Sequence, residues 1–140
     1  MRSGLVLIEL IIAVAVAGII AAIAVPELWT LSDTAAVRGE TLRVVAALDA
    51  TRGAALRLNG VASLTLSPAS YRAIVVTGAD SIVAWAQPGP ASGVSLAGTG
   101  QPLLFGPAGL AMGVSNRTIT LSKGSVARRV VMSKLGRITY

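Results

Sequence analysis

The chain has 140 residues, enough for one domain and not for two. It contains no cysteine and no histidine, which excludes thiol nucleophiles, disulfides, Cys/His zinc sites and imidazole bases. The net charge of +6 is lopsided: acids and bases cancel through Asp80, whereas Arg117, Lys123, Arg128, Arg129, Lys134 and Arg137 follow with no acid among them. Such an excess is either a polyanion-binding face or a set of solvated cations, and charge alone favours the second.

Hydrophobic residues make up 54% of the chain, and the excess gathers at the N-terminus. Leu5 to Val25 holds one charged residue, Glu9. About 20 apolar residues suffice for a helix to cross the hydrocarbon core. A secretory signal would have a shorter apolar region of about 7–15 residues followed by a small-residue cleavage site. Here the run is longer and Pro26 follows directly, so a retained membrane helix is expected. Arg2 before the span, with Glu27 and Asp33 after it, places the N-terminus on the cytoplasmic side.

Glu9 is out of place in such a helix. A carboxylate there is costly and marks a function and a partner, or else is protonated or reaches back to the interface. No Lys or Arg lies in the span to pair with it. The partner is then a chain terminus, a neighbouring subunit or a proton.

Pro26 removes a backbone donor and is expected to kink a helix that continues through it. Beyond it, Asp33 to Leu58 reads as helix. Val37, Thr41, Val44, Leu48 and Ala55 share one stripe, widened by Val45 and Leu56. Glu40–Arg43 and Asp49–Arg52 are i,i+3 pairs of the kind worth tenths of a kcal/mol, and Asn59-Gly60 is a stop signal.

From Val61 the period changes. Residues 62–66, 71–76, 81–86, 94–97, 118–122, 128–133 and 137–140 are short β-prone runs. Ser67-Pro68, Gly78-Ala79-Asp80, Pro88-Gly89-Pro90, Lys123-Gly124 and Lys134-Leu135-Gly136 separate them as turns. Residues 87–113 read as a largely irregular loop region around one apolar knot, Leu103-Leu104-Phe105. Tyr71, Trp85, Phe105 and Tyr140 are expected to pack in the core or on a sheet face. Asn116-Arg117-Thr118 reads as a turn entering a strand. The acids do not gather as a general acid–base pair would, so neither an enzyme nor a cofactor or metal is expected.

Gly4-Leu5-Val6-Leu7-Ile8-Glu9-Leu10 resembles the processing and assembly signal of type IV pilins and type II secretion pseudopilins, whose usual form is Gly-Phe-Thr-Leu-Ile-Glu-Leu. Leu5 stands for the usual Phe and Val6 for the usual Thr. The short leader, the Gly before the cut, the Glu five residues after it and the Pro ending the run all match. The resemblance implies cleavage after Gly4 by a prepilin peptidase and a new α-amine on Leu5, usually methylated. In a filament that amine would meet Glu9 of an adjacent subunit. A buried pair is tolerated where a lone buried charge is not. Ala13, Ala15, Ala17, Gly18, Ala21, Ala22 and Ala24 would let helices approach closely.

The remainder is similar to the H-type pseudopilin and FimT minor pilin group. The similarity rests on Arg52-Gly53-Ala54-Ala55-Leu56-Arg57, Leu104-Phe105-Gly106-Pro107-Ala108-Gly109, Thr118-Ile119-Thr120-Leu121, Arg128-Arg129-Val130-Val131-Met132-Ser133 and Gly136-Arg137. FimT-type DNA-uptake pilins end in Gly-Arg-x-Arg. This chain ends Gly136-Arg137-Ile138-Thr139-Tyr140, without the second Arg. DNA binding through Arg128, Arg129, Lys134 and Arg137 is therefore the less favoured reading.

The expected fold is α+β: a long pilin-like N-terminal helix packed on an antiparallel β domain. Its parts are a leader (1–4), a transmembrane and assembly helix (5–26), an amphipathic continuation (27–58) and a β-rich extracytoplasmic domain (59–140). The expected function is that of a minor pseudopilin in a type II secretion pseudopilus or related pilus, held in the bacterial inner membrane and assembled with other pilin-like subunits. The rivals are a FimT-like DNA-binding minor pilin and a bitopic anchor whose domain binds one partner without a filament.

Overall fold

The computed structural model describes residues 2–90, 93–113 and 116–140, with side chains of the first helix described from Val6 onward. One helix, α1 (Arg2–Arg57), is followed by β1 (Val61–Leu66), β2 (Ser70–Thr77), β3 (Asp80–Pro88), β4 (Ser95–Ala97), β5 (Leu103–Phe105), β6 (Ala111–Met112), β7 (Arg117–Lys123), β8 (Val126–Met132) and β9 (Ile138–Thr139). The strands form two antiparallel sheets, in the orders β3-β2-β1-β5-β6 and β4-β7-β8-β9. The α+β expectation holds, with the helix packed across both sheets.

At 1.5 Å per residue, the 56 residues of α1 extend about 84 Å. The helix passes through Pro26 without a break in its assignment. Two threonines follow that proline: Thr30 Oγ1 donates to Pro26 O at 3.1 Å and Thr34 Oγ1 to Thr30 O at 2.8 Å. Back-bonding of this kind bends helices.

The C-terminal stop falls where the sequence placed it. Asn59 takes a left-handed conformation (φ 46°), Gly60 N donates to Ala55 O at 3.1 Å and Asn59 N to Leu56 O at 3.4 Å. This is a Schellman cap with asparagine in the position glycine usually fills. Gly60 itself is needed for closeness, since a Cβ there would stand 2.5 Å from Val76 O.

The stripe Val37, Thr41, Val44, Leu48 and Ala55 is buried as expected. It meets Leu64, Tyr71 and Phe105 of the first sheet and Ile119, Leu121 and Val130 of the second in one core. Thr41 and Thr51 are buried with their hydroxyls donating to Val37 O and Ala47 O, both at 2.7 Å, so neither leaves an unpaired group. Leu56 departs from the expectation and is exposed.

Three further expectations are corrected. Residues 87–113 are more regular than a loop: besides β4, Leu103–Phe105 and Ala111–Met112 form strands, and Leu103 and Leu104 pair with Leu64 and Ser63 of β1. Runs of two or three residues are too short to show a period, so pairing partners, not local pattern, decide them. Asp49 and Arg52 are not among the ion pairs of the described residues; the Arg52 guanidinium lies beside Gly109 and Gly136. Tyr140 is exposed, whereas Tyr71 and Phe105 are fully buried and Trp85 packs partly against the core.

Candidate assembly helix and its anchoring cluster

Among the described residues, no side chain in the first half of α1 is buried. Its large apolar side chains from Val6 to Leu31 are 47–72% exposed, and the helix is long and apolar enough to cross a membrane. Exposure on every side means that lipid or other helices must cover this stem, because water would not. Gly18 has open space around it, as a helix-contact position requires.

Glu9 lies on this stem, exposed, and no ion pair among the described residues includes it. The backbone of residues 2–5 continues the helix, while the side chains flanking the Gly4–Leu5 junction lie outside the described residues. The expected cleavage site is therefore not tested by the geometry.

Where the stem meets the β domain, a cluster the sequence reading undervalued holds the two together. Glu40 is buried, not a surface partner. Tyr71 donates its hydroxyl to Glu40 Oε1 at 2.6 Å, and Arg43 Nη1 donates to Oε2 at 2.9 Å. Arg43 also donates to Pro88 O at 2.9 Å and Gly89 O at 3.4 Å, and sits 5.5 Å from the centre of the Tyr71 ring. Gly89 can hold its place because it lacks a Cβ, which would stand 2.2 Å from Pro68 O. One carboxylate thus ties α1 to β2, and its arginine ties α1 to the end of β3. A signal was present: Glu40 stands three residues after Val37 and four before Val44, inside the buried stripe.

Burial first, then the hydrogen bond and charge of Glu40, push the Tyr71 hydroxyl well above its ordinary value of 10.0; the Arg43 charge opposes them. The folded state therefore keeps this proton after the unfolded chain has lost it. Stability is complete below about pH 10 and falls above it, by up to about 1.4 kcal/mol per pH unit from this group. Thermal melts of the full chain in detergent at pH 9 to 11.5 should show that loss. Tyr71→Phe should be less stable at neutral pH, by about 1.5–3 kcal/mol for a hydrogen bond to a charged group, and should have a flatter alkaline limb. Equal alkaline slopes in the two proteins would contradict this assignment.

The basic residues do not converge on one surface. Lys123 Nζ pairs with Asp33 Oδ1 at 3.1 Å, fastening the β7–β8 turn to α1. Arg117 is turned onto Gln101, donating to its carbonyl at 2.9 Å. Arg128 and Arg129 are exposed on the part of β8 that β9 does not cover, and alternation sets them on opposite faces as expected. Arg128 shares a cleft with Arg38, Leu42 and Tyr140. Lys134 and Arg137 are exposed beyond the other end of β8, about 17 Å along the strand direction from Arg128, with Arg137 turned back level with Ser133.

A free-standing apolar helix that continues into a two-sheet β domain is the architecture of a pilin. The crystal structure of the type IV minor pilin FimU of Pseudomonas aeruginosa strain PAO1 is similar in fold: TM-score 0.57, 16% identity, 77% of this chain and 87% of that chain covered. At that identity the likeness is one of fold. Residues 40–136 match the family described as type II transport protein GspH. The chain belongs to the GspH family. No curated protein sequence matches it.

Proposed function

We propose that this chain is a minor subunit of a pilin-like filament, the pseudopilus of a type II secretion system, with a structural and not a catalytic role. The observation that carries this reading is the bare stem: an exposed apolar helix whose run from Val6 to Val25 carries one carboxylate, Glu9. Family membership and the pilin fold support it. In this reading the stem is first held in the inner membrane as a single span, N-terminus inside. It is trimmed after Gly4 by a prepilin peptidase and then moves sideways from lipid into a bundle of like helices. The new Leu5 α-amine, once methylated, meets Glu9 of an adjoining subunit. The scatter of Arg128, Arg129, Lys134 and Arg137 gives a DNA-uptake role less support than a secretion role, since duplex binding needs several cations acting together on phosphates.

Mass spectrometry of the membrane-extracted protein tests the processing step. Leu5 is expected at the N-terminus, carrying one added methyl. Retention of Met1, or a cut beyond residue 20, would remove the filament reading.

A further inference from the structure

The half of α1 that carries the β domain has two rows of side chains with the same spacing. On the inner side Val37, Thr41, Val44, Leu48, Thr51 and Ala55 alternate steps of four and three residues, and all are buried. A second row keeps the same steps from Leu28 to Leu56, set two residues away and therefore about 200° round the helix. Its large members are Leu28, Leu42 and Leu56, which are 62%, 49% and 50% exposed. Its small members are Ser32, Ala35, Gly39, Ala46 and Gly53; the first four are exposed and the last is partly buried. Asp49 is its single charge, while Asp33, Arg38, Glu40, Arg43 and Arg52 fall on the flanks between the rows. A helix that packs through one side alone turns charged residues to water on the other. Here the outer side is leucines and residues no larger than serine, Asp49 apart.

The spacing identifies what covers this row. Steps that average 3.5 residues drift by about 20° per heptad round a straight helix. Only another helix, crossing at about 20°, stays on such a row for the four heptads from Leu28 to Leu56. Lipid tails impose no period, and a strand laid on the face would follow a straight line. Gly39 has open space around it, so a second backbone can come close there. The row also runs on without a break into the stem, as Leu7, Ile11, Val14, Gly18, Ala21 and Val25.

We infer that the outer row of α1 between Leu28 and Leu56 is the seat for the stem of another filament subunit. This rests on the filament reading and goes beyond assembly through the bare stem, because it assigns a receiving face on the part of the helix that carries the domain. A bare stem is a helix that needs cover on every side, and this chain's own stem shows the matching spacing. Displaced by three heptads, about 32 Å, such a stem sets Leu7 to Val25 against Leu28 to Ala46. Gly18 then stands opposite Gly39, both of which have open space around them. Glu9 is two residues from Leu7 and from Ile11, on the opposite side of the stem, so its pairing with a Leu5 amine engages a different neighbour. Two copies set outer row to outer row would close a parallel two-fold dimer that cannot extend. A stem on an outer row is a head-to-tail contact, which repeats along a filament.

The chain has no cysteine, so single cysteines report whether the row is covered. Ala35→Cys and Ala46→Cys lie in the row, and Ser125→Cys, in the exposed β7–β8 turn, is the control. Each full-length variant is labelled with a charged maleimide in two settings: lipid nanodiscs holding one chain, and filaments assembled with the other subunits of its own system. The two row positions should label at least tenfold more slowly in filaments, and Ser125→Cys should change far less. Gly39→Leu places a leucine where the two backbones meet, in space that is open in the single chain. It should be cleaved at Gly4 like the parent and melt no lower, yet enter filaments about tenfold less, whereas Gly39→Ala should enter near the parent's level. Gly39→Leu entering normally, row cysteines labelling as fast in filaments as in nanodiscs, or an equal slowing at Ser125→Cys overturns the seat and leaves the filament reading standing. Slow labelling already in one-chain nanodiscs would show that lipid covers the row, and slow labelling in nanodiscs holding two chains would show self-pairing; each equally overturns it. A parent chain that is never cleaved and never enters filaments would remove the filament reading itself.

Discussion

Arg43→Ala is expected to lower the stability of the folded chain by about 2–3 kcal/mol, and its melting temperature by about 10 °C. The cause is electrostatic before it is steric. Glu40 is 3% exposed, and Arg43 holds one of its oxygens at 2.9 Å while Tyr71 holds the other at 2.6 Å. Removing one partner of a buried pair leaves the other charge in the core, which costs about 3–5 kcal/mol where burial is complete. The Arg43 side chain is 34% exposed, so water softens the loss and the lower figure applies. Alanine also gives up the bonds to Pro88 O and Gly89 O, which hold the end of β3. The control is Glu40→Gln, a neutral side chain of the same shape that can still accept from Tyr71. If the main cost is the stranded charge, Glu40→Gln with Arg43→Ala should be no less stable than Arg43→Ala alone. Additive losses in calorimetry of the two single variants and the double would show that packing, not charge, sets the effect.

The same cluster shows which features a sequence reveals. The periodic stripe from Val37 to Ala55 and the Asn59-Gly60 stop were legible because helix spacing and capping are local properties. The longer strands were legible because Gly, Pro, Asn and Asp punctuate them. The burial of Glu40 was half legible: its spacing from Val37 and Val44 put it on the buried side, but its partner Tyr71 lies in a strand that the helix meets only after folding. Long-range pairing accounts for the remainder. β5 joins β1 across an intervening stretch that contains β2, β3 and β4, so its three residues gain a strand's identity from a neighbour they do not adjoin in sequence. Lys123 looked like one member of a basic half, yet its charge is spent on Asp33, which belongs to the helix. That β3 is an edge depends on strand order, which no local pattern encodes.

Glu9→Ala should leave membrane insertion intact, or slightly improved, while incorporation into filaments falls by a factor of about 100 or more. The first part follows from the bilayer: a carboxylate within the span costs a few kcal/mol that alanine does not. The second follows from what a bundle of stems must solve. Each cleaved subunit brings a positive α-amine on Leu5 into an apolar environment, and within Leu5 to Val25 nothing apart from Glu9 offers a negative charge. With Glu9 of a neighbour beside it, the amine is paired; with alanine there, it is stranded, at about 3–5 kcal/mol, which is two or more powers of ten in an equilibrium. Glu9→Gln separates charge from shape, since it keeps the length and one acceptor but loses the anion, and it should fall between the parent and Glu9→Ala. The readout is the ratio of the chain in sheared filaments to the chain in membranes, with the Gly4 cut checked in each variant so that a processing defect is not mistaken for an assembly defect. A Glu9→Ala chain that is cleaved, inserted and present in filaments at the parent's ratio would show that the carboxylate has no part in assembly, and that packing among the alanines and Gly18 is enough to hold the stem.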